Sequence, residues 1–209
     1  QQSFPERRSY GLKANIAHIL RALQLPRAVL LEGSPWVGKT SLIAALAKLS
    51  GHKLVRINLS EQTDMMDLLG TDLPDASGEG GQFKWCDGVF LQALQQGDWV
   101  LLDELNLASQ SVLEGLNAVL DHRSQIYLPE LDRTFNCPPS FRIFGAQNPV
   151  AQGGGRKGLP ASFLNRFSKV WLHPMSYNDL FCIVQQLYPS IAPYHLRLMI
   201  EFNEAVRQD

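Results

Sequence analysis

The sequence predicts an α/β protein, with a parallel five-stranded sheet flanked by helices. Three observations carry this reading. Short apolar runs alternate along the chain with amphipathic helical patterns, as strands and crossover helices do. The first run, Ala28–Glu32, opens into Gly33-Ser34-Pro35-Trp36-Val37-Gly38-Lys39-Thr40, a GxxxxGKT loop followed by a helical pattern. A later run, Trp99–Asp103, ends in two adjacent carboxylates, Asp103 and Glu104, at the strand end where open parallel sheets gather their ligands.

Taken in order, Ala28–Glu32 is the first strand and residues 38–49 form the helix after the loop, stopped at Ser50-Gly51. Leu54–Asn58 is the second strand. Residues 88–96 make a helix that Gly97 ends, with Asp87 as its cap. Trp99–Asp103 is the third strand, and residues 109–121 form a helix capped by Ser109. Residues 142–147 are the fourth strand, stopped by Pro149, and residues 169–172 a short fifth. Residues 177–188 and 192–207 read as two amphipathic helices beyond the sheet. Two stretches interrupt this plan. Residues 71–85, rich in Gly and Asp, read as a loop or hairpin, and residues 125–136 as a hairpin around the polar Glu130–Arg133. Gly153-Gly154-Gly155 predicts a mobile loop. Three segments follow: an N-terminal helical or extended lead-in (1–27), a large α/β nucleotide-binding subdomain (28–175), and the start of a smaller helical lid (176–209).

Composition excludes several classes. The chain has 209 residues, 45% of them hydrophobic and 19% charged, enough for a substantial core. A net charge of −1 argues against a general nucleic-acid or membrane surface. Cys86, Cys137 and Cys182 are widely spaced and odd in number, which fits no disulfide scaffold or CxxC metal site and suits a reducing, intracellular setting. No apolar run approaches membrane-spanning length. The chain begins without Met and ends just after a helical pattern, as an excised piece of a longer protein would. His18, His52, His122, His173 and His195 lack ligand spacing and read as structural. Trp85, Trp99 and Trp171 read as core.

The chemistry follows from residue types. Backbone N–H groups of a GxxxxGKT loop point at a β-phosphate, and the following helix adds its positive end. Lys39 would reach the β- and γ-phosphates and the Thr40 hydroxyl would bind Mg²⁺. The whole stretch Gly33, Ser34, Pro35, Trp36, Val37, Gly38, Lys39, Thr40 and Ser41 is therefore the candidate binding loop. Asp103 stands where an Asp holds the metal shell, with Glu104 placed to polarise an attacking water. Asn148, in Gln147-Asn148-Pro149 after the fourth strand, can hydrogen-bond a γ-phosphate, or form a turn before Pro. Arg166, in Phe163-Leu164-Asn165-Arg166-Phe167, is either a transition-state cation or a surface salt-bridge arginine. Gln62, Thr63 and Asp64 could line a ring's central face or receive nucleotide signals, or Thr63 or Asp64 could cap the turn before Met65-Met66. Arg156-Lys157 could contact a neighbour or a phosphate, or be a solvated loop pair.

Together these residues resemble an AAA+ ATPase module. GxxxxGKT, Trp99 through Glu104, Gln147-Asn148-Pro149 and Leu164-Asn165-Arg166-Phe167 stand where the family has Walker A, Walker B, sensor 1 and the arginine finger. The two insertions resemble the branch that holds the MoxR proteins and dynein. Longer strings are similar to the giant ATPase of large-ribosomal-subunit assembly, which strings six modules in one chain. They are Ile57 through Asp64, Trp99 through Ala108, and Gln147-Asn148-Pro149 with Gly153-Gly154-Gly155-Arg156-Lys157-Gly158-Leu159-Pro160. The resemblance covers residues 28–188. It implies ATP and Mg²⁺ as cofactors and Asp103 and Thr40 at the metal. It also implies Glu104 as catalytic base, Asn148 as sensor, and Arg166 serving a neighbouring module's nucleotide. The implied partners are adjacent AAA+ modules in a ring and the pre-60S particle with its assembly factors, in the nucleus, without direct nucleic-acid reading or a membrane. Two departures stand out. Trp36 replaces the family's usual Gly, which implies altered nucleotide binding or simply an exposed ring, and no residue can be matched to the lid's sensor 2 arginine. The alternatives are a nucleotide-holding structural module without turnover and a MoxR-type chaperone ATPase.

Overall fold

A computed structural model describes residues 10–33, 38–74, 82–120, 125–147 and 158–206. In chain order the elements are α1 (Tyr10–Ala22), β1 (Ala28–Glu32), α2 (Lys39–Leu49), β2 (Leu54–Asn58), α3 (Met65–Leu69), β3 (Gly70–Pro74), β4 (Phe83–Asp87), α4 (Val89–Gln96), β5 (Trp99–Asp103), α5 (Gln110–Leu120), β6 (Gln125–Leu128), β7 (Arg133–Asn136), β8 (Arg142–Ala146), α6 (Ala161–Leu164), β9 (Phe167–Trp171), α7 (Tyr177–Leu187) and α8 (Pro193–Val206). Five strands form one sheet in the order β2-β5-β8-β1-β9, and every pairing in it is parallel. This is the fold class that the sequence predicts.

The apolar runs of β1, β5 and β8 arise because these central strands are covered on both faces. Along β1, Ala28 and Leu30 enter one core with Val100, Leu102 and Ile143, packed by Phe90, Leu91 and Leu94 of α4 and Leu113 and Leu116 of α5. Val29 and Leu31 enter the other with Leu101 and Phe144, packed by Ile19 of α1 and Leu42, Ile43 and Leu46 of α2. Leu30 is fully buried in the first layer. Leu30→Ala is expected to destabilise the fold by about 2–5 kcal/mol, the usual range for a Leu truncation that leaves a cavity. Urea denaturation of the two proteins measures it, and a loss under about 1 kcal/mol would contradict this packing.

The edge strand β9 begins two residues earlier than its apolar pattern suggests. Phe167 and Ser168 pair with Ala28 and Val29, although Ser168 and Lys169 interrupt the hydrophobic run. Trp171, expected in the core, is 58% exposed at the end of this strand, where β9 has no strand on its outer side among the described residues. The lead-in before β1 contains a full helix, α1, anchored through a reciprocal pair. Buried Asn15 donates its Nδ2–H to the His173 carbonyl at 3.0 Å, and the His173 N–H donates to Asn15 Oδ1 at 2.8 Å.

Both interruptions are antiparallel hairpins, β3 with β4 and β6 with β7. The turn before the first is capped: Asp64 accepts from the Met65 N–H at 2.7 Å, while Asp67 accepts from the Asp64 N–H at 2.9 Å. Asp87 is not the cap of α4, whose N-cap is Gly88 without a side-chain bond. Its carboxylate instead accepts from Trp85 Nε1 at 2.7 Å and Gln95 Nε2 at 2.8 Å, tying the hairpin to the helix. Beyond the sheet, α7 starts in a Ser176/Asp179 capping box and lies along α2, where Lys48 Nζ donates to the Leu187 carbonyl at 2.8 Å. α8 then packs on α7, with the Arg197 guanidinium 5.2 Å from the Phe181 ring centre. No helix among the described residues is long and apolar enough to cross a membrane.

Candidate nucleotide site

The carboxyl ends of β1 and β5 and the amino end of α2 converge on one place. β1 stops at Gly33, with φ 154°, and α2 is preceded by Gly38, with φ 71°. A left-handed residue turns the chain sharply into the helix, and glycine adopts that conformation without steric cost. Space points the same way: a Cβ at Gly38 would lie 2.9 Å from Met175 Cε and 3.5 Å from Leu180 Cδ2. Ser34, Pro35, Trp36 and Val37 lie outside the described residues, as do Asn148, Gly153-Gly154-Gly155 and Arg156-Lys157. Ser41, in the first turn of α2, is partly buried.

Lys39 opens α2 and is buried, 8% exposed. Its Nζ donates to the Gly33 carbonyl at 3.1 Å, so the ammonium spans the two ends of the loop. Burial lowers its pKa from the usual lysine value, against the opposing pull of the Asp103 and Glu104 carboxylates. One turn position on, Thr40 Oγ1 lies 3.4 Å from Asp103 Oδ2. The hydroxyl of the loop helix and the carboxylate of β5 thus meet across the sheet edge. Two oxygen donors converging beside a buried ammonium suit a hard divalent cation and the phosphates it accompanies.

Asp103 is held from both sides. Its Oδ1 accepts from the Glu104 N–H at 3.0 Å. Its Oδ2 accepts from Arg56, at 2.6 Å from Nη2 and 3.1 Å from Nε. Arg56 is the site residue that sequence reasoning missed. Its signal lies in the two-residue period of β2: Arg56 and Asn58 share a face, and Asn58 is level with Asp103, so a long side chain at position 56 reaches that carboxylate diagonally.

Glu104 has φ 55° and ψ 43°, a left-handed conformation that costs a non-glycine residue roughly 1–2 kcal/mol. The bend leads into the short helical turn Leu105–Leu107. Glycine is therefore expected to be the better-tolerated replacement: Glu104→Gly should be about 1 kcal/mol more stable than Glu104→Ala, the reverse of their usual order. Thermal unfolding of both variants checks this; Ala equal to Gly would mean that the bend carries no strain.

Gln147 closes β8 at the same sheet edge, with Nε2 donating to Glu32 Oε1 at 3.0 Å. Arg166 is elsewhere. It sits in the turn after α6, half-buried, immediately before Phe167, which is level with Ala28 at the start of β1. At about 3.3 Å per residue, roughly 17 Å of strand separates that level from Gly33. The structure thus brings together Gly33, Gly38, Lys39, Thr40, Asp103 and Glu104, and it places Arg166 at the opposite edge of the sheet.

Comparison with known proteins agrees with this architecture. The family described as AAA domain (dynein-related subfamily) matches residues 28–167. Midasin of Dictyostelium discoideum is 64% identical over 189 residues, covering 90% of this chain and 3% of that protein. Midasin of Giardia intestinalis is 49% identical over 193 residues, covering 92% of this chain and 4% of that one. The chain therefore spans only a few hundredths of the length of these relatives. A solved structure of a candidate ATPase from Cytophaga hutchinsonii superposes with a TM-score of 0.64 at 25% identity, covering 85% of this chain and 51% of that one. With two thirds of its length matched by that family and the sheet order in place, the chain belongs to the AAA domain family, in its dynein-related subfamily.

Proposed function

We propose that the chain is one Mg²⁺-dependent ATP-binding and ATP-hydrolysing module of a midasin-like ring. The observation that carries this reading is the convergence of Lys39, Thr40 and Asp103 on one sheet edge. In it, residues 33–41 cradle the triphosphate through main-chain amides, and the Lys39 ammonium meets its β- and γ-oxygens. Thr40 and Asp103 are the residues that would hold Mg²⁺, which when bound offsets phosphate charge. Glu104 takes the proton of the attacking water, and Asn148 orients the γ-phosphate. Residues 28–175 form the nucleotide-binding subdomain and residues 176–209 begin a helical lid.

Arg166 lies too far from this loop to serve it, which supports a role at a neighbouring module's nucleotide. Similarity to midasin supports the wider reading, in which hydrolysis drives removal of assembly factors from pre-60S particles in the nucleus. Glu104→Gln keeps the shape and removes the base. In the assembled ring it is expected to bind ATP as the parent does and to lose turnover at this module by about 10²–10⁴-fold, the usual worth of a positioned general base. Phosphate-release kinetics with both proteins decide it: unchanged turnover would leave the module a nucleotide-holding element without catalysis.

A further inference from the structure

The carboxylate oxygen of Asp103 that faces Thr40 is already engaged by a cation of the protein itself. Oδ1 is committed to the Glu104 N–H. Oδ2, the atom 3.4 Å from Thr40 Oγ1, accepts both Nη2 and Nε of Arg56, at 2.6 and 3.1 Å. From the shared oxygen we propose that Arg56 is a resident counter-cation that competes with the divalent metal for Asp103, so that metal–nucleotide binding must displace it. The inference rests on the nucleotide-site reading above and deepens it.

Three features make displacement workable. Arg56 lies on β2, the outermost strand beside β5, and its side chain is 54% exposed while that of Asp103 is 14% exposed. The guanidinium can therefore return to water while the carboxylate stays in place. An ion pair with one partner this exposed is weak and screened by salt, so leaving it is not prohibitive. A divalent cation and a guanidinium crowded onto one oxygen repel each other, and binding of either must weaken the other by the same factor. Without the metal, Arg56 and Lys39 together balance the adjacent charges of Asp103 and Glu104. As the metal arrives, that task passes to it and Arg56 is released. Arg56 is thus a positioning residue that sets the metal concentration at which the site closes, and it takes no part in the bond-breaking step.

The test titrates Mg²⁺ by calorimetry into the chain saturated with a non-hydrolysable ATP analogue. For Arg56→Met the Mg²⁺ dissociation constant is expected to fall about tenfold, and the Mg²⁺-induced rise in Tm to be larger than in the parent. Arg56→Lys, which keeps the charge, should stay near the parent. Arg56→Gln reads the same effect should the Met variant fail to fold. Equal or weaker Mg²⁺ binding in the uncharged variants overturns the proposal, since it would make Arg56 an orienter of Asp103 that remains in place beside the metal. A parent chain that binds no nucleotide, with or without Mg²⁺, sinks the nucleotide site and this inference together. Nucleotide binding with no effect of Arg56 sinks this inference alone.

Discussion

Lys39→Ala is expected to lower ATP affinity by about a hundredfold while leaving the fold intact. The ammonium is bonded to the Gly33 carbonyl at 3.1 Å, at the base of the loop. Charge-assisted hydrogen bonds contribute about 1.5–3 kcal/mol each, and about 2.7 kcal/mol corresponds to a factor of a hundred in affinity. The fold does not depend on it, because burying an ammonium costs stability rather than adding it. The pH dependence has a definite sign. Burial places the folded-state pKa below the ordinary 10.5, so the ammonium, and the affinity resting on it, fades as pH rises through that lowered value. The stability cost of the buried charge is present in full below that value and disappears as pH climbs towards 10.5. Lys39→Ala should bind weakly without this alkaline limb. Titrations of ATP with Mg²⁺ across pH measure both effects, and full affinity in Lys39→Ala would remove the basis for a nucleotide site here.

The centre of the sheet was legible because β1, β5 and β8 are covered on both faces. Residues such as Val29, Leu30 and Leu31 feed opposite cores in turn, which writes a continuous apolar run into the chain. β9 was half legible: among the described residues only one side of it is paired, and the polar Ser168 hides its first two positions. Helix α1 was hidden for another reason. What fixes it is the exchange between Asn15 and His173, groups 158 positions apart, and no local pattern announces such a pair. Asp87 shows the opposite failure. An Asp before Gly-Val-Phe satisfies the local rule for a helix cap, but Trp85 and Gln95 claim its carboxylate first.

At the site, spacing revealed Lys39, Thr40, Asp103 and Glu104, because a loop cradling phosphate and a carboxylate at a strand end are local features. The left-handed backbone of Glu104 was not legible, since glutamate gives no sign of it. Arg56 was missed because its partner is 47 positions away and only the register of β2 on β5 joins them.

The placement of Arg166 leads to the second large effect. Arg166→Ala is expected to slow hydrolysis by about 10³-fold or more in the assembled ring, the scale on which transition-state arginines act. The loss should fall on the neighbouring module's nucleotide. Phe167 is level with Ala28, so Arg166 belongs to the sheet edge opposite Lys39 and Asp103, and no side chain spans a gap of roughly 17 Å. The signature is therefore a split: ATP affinity at the module's own loop unchanged, turnover next door lost. A ring carrying the variant in one module, with site-resolved occupancy and phosphate release, reads both. Loss of affinity at the variant's own loop, or turnover unchanged next door, contradicts the placement. If the split is found, each site is complete only when its neighbour is correctly seated, so the position of one module sets the chemistry of the next, as in an interface with two discrete arrangements.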